Sequence, residues 1–221
     1  MNGFFISFEG PEGSGKTTQS FMLDEYLRRN GFDSIYTREP GGTNVGDQIR
    51  EVLLDPLNKD IEDETELLLY GAARIEHLKK RILPNLKRDR IVICDRFEDS
   101  TFAYQGYGRQ ISLKIIQSLR TIVIGDMEPD LTLFLDVEPE HGLQRKFPGT
   151  EDRCGADRIE SEKIDFHRRV RRGYLRLAEM YPDRILRINA DRPVDVIHTN
   201  LVEVVTARLR EHGDLAEKAR E

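Results

Sequence analysis

Gly10-Pro11-Glu12-Gly13-Ser14-Gly15-Lys16-Thr17-Thr18 fits the pattern G-x-x-x-x-G-K-[ST]. The pattern alone marks a glycine-rich turn, and its neighbours decide the reading. Ahead of it runs Phe4-Phe5-Ile6-Ser7-Phe8, short and apolar like a strand buried on both faces. Behind it, residues 16–29 place Met22, Leu23, Tyr26 and Leu27 at helical spacing, and Asn30-Gly31 supplies a stop. A strand, a glycine loop and a helix in that order form a phosphate cradle. The glycines let backbone N–H groups approach closely, and the helix N-terminus adds partial positive charge. Residues Gly10 to Thr18 would then wrap the phosphates of a nucleotide, with Lys16 reaching the β and γ positions and the Thr17 hydroxyl holding Mg²⁺.

Working outward, Ser34-Ile35-Tyr36-Thr37, Ile91-Val92-Ile93-Cys94, Asp130 to Asp136 and Ile185 to Asn189 read as four more short strands. Helical spacing fills the gaps. One helix carries Val45, Ile49, Val52 and Leu53 on a face. A long one runs from Glu64 to about Lys87, with Pro84 set to kink it or end its regular part. Glu98 to Gln105 is a short helix followed by a loop at Gly106-Tyr107-Gly108-Arg109. Further helices are predicted at Ser112 to Ile124, from Pro139 to Lys146, on the stripe Phe166, Val170, Tyr174, Leu177, Tyr181, and from Pro193 to about Arg210. Alternating strands and helices predict a three-layer α/β fold: a five-stranded parallel sheet with helices on both faces. The expected organisation is one domain over residues 1–210, a small mobile lid at about 145–160, and a frayed charged tail at 211–221.

Composition narrows the function classes. A net charge of −6 argues against a general nucleic-acid binder. Two cysteines, Cys94 in an apolar run and Cys154 in a polar loop, are too few for a disulfide framework or a zinc site, and the five histidines show no metal spacing. No apolar run reaches membrane-spanning length, and the N-terminal one is too short for a signal peptide, so a cytoplasmic protein is expected.

Ligands on such sheets bind beyond the carboxyl ends of the strands. Those ends carry the phosphate loop, Arg38-Glu39, Asp95-Arg96, Asp136 and Asn189-Ala190-Asp191. Asp95 is placed to hold Mg²⁺, to cap a helix or to make a plain salt bridge. Arg38 and Arg96 suit a second phosphate, or pair with Glu39 and Asp95. Most of Arg168, Arg169, Arg171, Arg172 and Arg176 fall opposite the apolar stripe, as a solvated face. Arg153 and Arg158 sit in or beside the polar loop at 147–158, where an arginine can close over a transferring phosphoryl group.

FEGPEGSGKTTQ, TREPGGT, YGAAR, DRFEDSTFAYQGYGR, DRIESE with FHRRVRRGYLRLA, and INADRP together resemble the thymidylate kinase family, from about Phe4 to Ala207. The resemblance implies ATP-dependent phosphorylation of dTMP with Mg²⁺, and a homodimer. It implies Lys16, Asp95, Arg96 and Arg153 as catalytic residues and Thr17 with Asp95 as metal ligands. Glu12 would contact the dTMP 3′-hydroxyl, and Arg38 and Arg96 its phosphate. Tyr70 would stack on thymine or belong to the core of its helix. Arg74, Ser100 and Gln105 would read the thymine edge, and Tyr104 would crowd the sugar 2′ position. Gly13 stands where some members carry an arginine, so the resemblance points to the type that supplies its arginine from the lid, at Arg153, with Arg158 able to share the task. The alternatives are a kinase for UMP or CMP and a nucleotide-dependent switch. For the switch, Asn58-Lys59-Asp60-Ile61 is off the N-K-x-D pattern.

Overall fold

Five strands, β1 (Phe4–Glu9), β2 (Ser34–Arg38), β3 (Ile91–Asp95), β4 (Leu131–Asp136) and β5 (Ile185–Asn189), form one sheet in the order β2-β3-β1-β4-β5. Every pairing is parallel. The computed structural model describes residues 3–149 and 155–218, the last five as backbone alone. Arg153 and Cys154 lie outside the described residues.

Helices α1 (Lys16–Arg29), α2 (Asn44–Leu54), α3 (Asp63–His77), α4 (Leu83–Leu86), α5 (Glu98–Thr101), α6 (Leu113–Val123), α7 (Pro139–Lys146), α8 (Ile164–Met180) and α9 (Val194–Lys218) complete the described chain. Side chains of β1 alternate between the two faces of the sheet. Phe4, Ile6 and Phe8 pack with Leu23 and Leu27 of α1 and Leu201 and Val205 of α9. Phe5 turns the other way, against Leu78, Ile82 and Val123. A third cluster sets Phe134 of β4 against Phe166, Val170 and Tyr174 of α8, with the Phe134 and Tyr174 rings stacked at 5.2 Å. Phe8 is fully buried, so truncation to alanine would cost about 3–5 kcal/mol.

β1 lies between β3 and β4, so the chain leaves it at the point where the strand order reverses and a crevice opens. The register pairs Phe8 with Asp95 and Arg38 with Asp95. The phosphate loop, Arg38 and Asp95 therefore meet at one edge.

Five local features differ from the sequence expectation. The long helix loses its regular α form after His77, already ahead of Pro84. A π-helical stretch, Leu78–Ile82, widens the turn ahead of a residue that has no N–H to donate. The expected loop at Gly106 to Arg109 is mostly helix, because α5 continues as a π-helical stretch, Phe102–Gly108. Its glycines serve packing: a Cβ on Gly108 would stand 2.7 Å from the Phe166 ring of α8. The chain past Arg210 stays helical to Lys218. Val45 and Val52 of α2 are exposed, as is Tyr181, which ends α8 outside the core. Arg171 is not solvated: it forks onto Asp136 at 2.7 and 3.2 Å. No helix among the described residues is long and apolar enough to cross a membrane.

Candidate active site

At the reversal edge a cleft of about 310 Å³ opens between the phosphate loop and the ends of β2 and β3. Gly10, Gly13 and Gly15 all have positive φ, which lets the loop from Gly10 to Thr18 fold its backbone inward. Lys16 is buried, its Nζ donating to the carbonyl of Pro11 at 2.7 Å and to Ser14 Oγ at 3.3 Å. Burial, with the charge of Arg96 nearby, pushes its ammonium pKa down to about 8, against the pull of Glu12 and Asp95. Gly13 presses on α7: a Cβ there would lie 1.9 Å from the carbonyl oxygen of Gly142. No side chain fits at position 13.

Thr17 Oγ1 donates to Asp95 Oδ2 at 2.5 Å, which brings the two expected metal ligands together. Arg96 follows at φ 73, in the left-handed region that a residue with a Cβ rarely occupies. That turn throws its guanidinium back across the cleft. Nη2 donates to Glu12 Oε1 at 2.6 Å and to the Tyr104 hydroxyl at 3.0 Å, and Nη1 reaches the carbonyl of Gly10 at 3.1 Å. The Tyr104 hydroxyl donates in turn to Glu12 at 2.8 Å. Burial alone would raise the Glu12 carboxyl, but Arg96, Lys16 and Lys146 together hold it well below the usual carboxylate range. Of the two pairings open in the sequence for Arg96, neither forms: its carboxylate partner is Glu12. Arg38 also leaves Glu39 alone. It is exposed on the cleft wall and has no ion-pair partner among the described residues.

The far end of the cleft is a buried polar wall. Arg74 donates to Glu39 at 2.7 Å, Glu98 at 2.5 Å, Thr101 at 2.6 Å and the carbonyl of Phe97 at 3.0 Å. Four of its N–H groups are thereby committed, and one of the five that a guanidinium carries is left over. Ser100 gives its hydroxyl proton to Glu9 at 2.6 Å, and the Tyr174 hydroxyl lies 2.9 Å away. Burial, with Asp99 nearby, pushes the Glu9 carboxyl up to about 7. Gln105 donates to Glu66 at 2.8 Å. Tyr70 of α3 lines the same space.

The family model for thymidylate kinase matches residues 8–201. A thymidylate kinase of Clostridium novyi (strain NT) is 48% identical over 88% of this chain and 94% of its own length. One of Exiguobacterium sp. is 45% identical over 96% and 99%. The crystal structure of thymidylate kinase from Ehrlichia chaffeensis superposes with a TM-score of 0.74 at 36% identity, covering 92% of this chain and 98% of that one. The chain belongs to the thymidylate kinase family.

Within this thymidylate kinase family member, the cleft is lined by Glu12, Gly13, Gly15, Lys16, Thr17 and Thr18 of the loop and by Arg38, Tyr70, Arg74, Asp95, Arg96, Ser100, Tyr104 and Gln105, while Gly10, Pro11, Ser14, Asp136, Asn189 and Asp191 do not line it. Arg153 lies outside the described residues. Arg158 is not free to serve the lid. It is buried, with Nε donating to the carbonyl of Leu53 at 2.9 Å and Nη2 standing 2.6 Å from Glu66. Two cations were missed in the sequence. Arg50 enters from α2 beside Arg38, whose charge and its own burial lower its pKa. Lys146 enters from the end of α7, paired with Glu160 and 3.6 Å from Glu12. Arg50 lies twelve residues past Arg38, about two turns into the helix that TREPGGT opens, and only the fold returns it to the cleft.

Proposed function

We propose that this chain transfers the γ-phosphoryl group of ATP to the phosphate of dTMP, giving ADP and dTDP. The observation that carries the reading is one cleft in which the phosphate loop is joined by a cluster of arginines that suits a second phosphate. The phosphate loop lines this cleft together with Arg38, Arg50 and Arg96. A switch or simple hydrolase has no use for the second site. No observation favours the switch: Asn58 to Ile61 lies between α2 and α3, away from the cleft.

Lys16 and the loop backbone hold the β- and γ-phosphates, and Asp95 with the acceptor arginines aligns the attacking phosphate oxygen, since phosphoryl transfer leaves the protein mainly positioning and charge stabilisation. Glu12, kept charged, accepts from the sugar 3′-hydroxyl, and Tyr104 beside it fills the 2′ position. Arg74 offers its remaining N–H to thymine O4, Ser100 and Gln105 line the base edge, and Tyr70 stacks. Thr17 and Asp95 would hold Mg²⁺. Among the described residues no trio of His, Cys, Asp or Glu forms a ready metal cage. Two oxygens with phosphate and water completing the shell suit this ion. When bound, Mg²⁺ neutralises charge on the transferring group. Gly13 has no room for an arginine, so the remaining charge falls to Lys146 and to Arg153 delivered from the lid.

The partner is a second copy of the chain. Val45 and Val52 of α2, Leu68 of α3, and Ile115 and Ile122 of α6 are large, apolar and exposed, and these three helices pack side by side. Exposed apolar area of this kind marks an interface. Phosphorus NMR of a mixture with ATP, Mg²⁺ and dTMP tests the reaction. The proposal expects dTDP and ADP in equal amounts, whereas ADP released equally well without dTMP would refute it.

A further inference from the structure

Gln105 is almost fully buried on the base side of the cleft, and its Nε2 donates to Glu66 Oε1 at 2.8 Å. An ionised carboxylate only accepts hydrogen bonds, so the amide nitrogen must face it. The amide oxygen is then turned away from Glu66. Among the described residues no donor reaches that oxygen.

Glu66 itself has no freedom to turn. It is wholly buried in α3. Arg109, at the end of the π-helical stretch, donates to it from Nε at 3.2 Å and from Nη2 at 3.0 Å. Arg158, from the segment beyond the lid, stands 2.6 Å from its second oxygen. Burial would raise the carboxyl, but these arginines and Gln105 keep it below its ordinary value and therefore charged.

We propose that Glu66 is a positioning residue that locks the Gln105 amide with its oxygen toward the base, so that the site accepts monophosphates whose pyrimidine N3 carries a hydrogen and rejects those whose N3 is a lone pair. This rests on the reading of the cleft as the dTMP site and deepens it. Thymine and uracil offer N3–H to the waiting oxygen. Cytosine presents an acceptor to an acceptor. Its binding would require the Gln105 amide to flip, and the flip would set a carbonyl oxygen against the charged Glu66. A buried polar group left without its partner is what gives such sites their selectivity.

Glu66→Gln tests this. The neutral amide can donate or accept, so Gln105 is released to either orientation while shape is kept. Steady-state kinetics with dTMP, dUMP and dCMP then separate the roles. The proposal expects the kcat/KM ratios of dTMP and of dUMP over dCMP to fall together, by about tenfold or more, with the dTMP-to-dUMP ratio and the KM for ATP unchanged. A parallel loss on all three substrates means that Glu66 is only structural, and overturns the proposal while leaving the dTMP reading standing. A wild-type kinase indifferent between dTMP and dCMP overturns both. Should Glu66→Gln fail to fold, the unmodified protein decides. The side-chain amide protons of Gln105, assigned by their loss in Gln105→Met, should exchange slowly with solvent before any nucleotide is added. Exchange at the rate of an exposed glutamine would overturn the lock.

Discussion

Arg96 Nη2 lies 2.6 Å from Glu12 Oε1, tying the residue after β3 to the inside of the phosphate loop. The pair explains why Arg96 keeps a left-handed backbone, a conformation costing of order 1 kcal/mol or more. Only from that turn does one guanidinium meet Glu12, Tyr104 and Gly10 together.

Arg96→Lys keeps the charge and loses the fork. A lysine cannot hold the carboxylate, the hydroxyl and the carbonyl while also facing an incoming phosphate. Its kcat/KM for dTMP should fall by about 10² or more, with the KM for ATP little changed. Steady-state kinetics with each substrate varied checks this, and a fall of under threefold would count against the acceptor-phosphate role.

The pair also shows what the sequence makes legible. The sheet was readable because each strand is a short apolar run flanked by polar residues, and the phosphate loop because its chemistry needs a fixed spacing. Asp95 and Arg96 were readable by position at a strand end. Their partners were not. Whether Arg96 meets Asp95 or Glu12 depends on one backbone turn that composition does not encode. Gly106 and Gly108 read as loop breakers, yet they are where α8 packs closely. Arg171 read as solvated by helical spacing, but β4 ends beside it and supplies Asp136. Arg50 and Lys146 reach the cleft through tertiary structure alone.

Lys16 gives a pH prediction. Its pKa of about 8 lies below the ordinary value of 10.5 because of burial first and Arg96 second. The charged form is the one that holds phosphate, so kcat/KM for ATP, which reports the free enzyme, should decline above about pH 8. Bound phosphates favour the ammonium, so kcat itself should hold to higher pH. For stability the sign is opposite. Between about 8 and 10.5 the unfolded chain binds this proton and the fold does not, so the cost of burying the charge is relieved as pH rises through that window. A pH–rate profile flat to pH 10 would contradict the assignment.

The lid arginine is tested against a fair control. Arg153→Ala should lower kcat by roughly 10³ while raising the KM for dTMP far less, as expected of a contact that strengthens in the transition state. Arg171 is unsuitable for comparison because it anchors Asp136. Arg176, exposed and among the described residues paired only with Glu179 one turn on, serves instead, and Arg176→Ala should leave both constants within about twofold. If the two variants behave alike, Arg153 has no part in catalysis.

The proposed dimer is tested on its own surface. Ile122 is 77% exposed and Leu68 59% exposed in the single chain. Ile122→Glu combined with Leu68→Glu should move the sedimenting species from dimer to monomer with little loss of thermal stability, since neither side chain supports the core. A wild-type protein that sediments as a monomer at tens of micromolar would refute the interface.

The central claim is that the cleft phosphorylates dTMP, and a coupled ADP-release assay across dTMP, dCMP, UMP and dGMP with saturating Mg²⁺ and ATP tests it most directly. The account predicts the highest kcat/KM for dTMP, with dCMP lower by about 10² or more because its base edge leaves Arg74 and Gln105 mispaired. Equal or higher kcat/KM for any of the other three would contradict it.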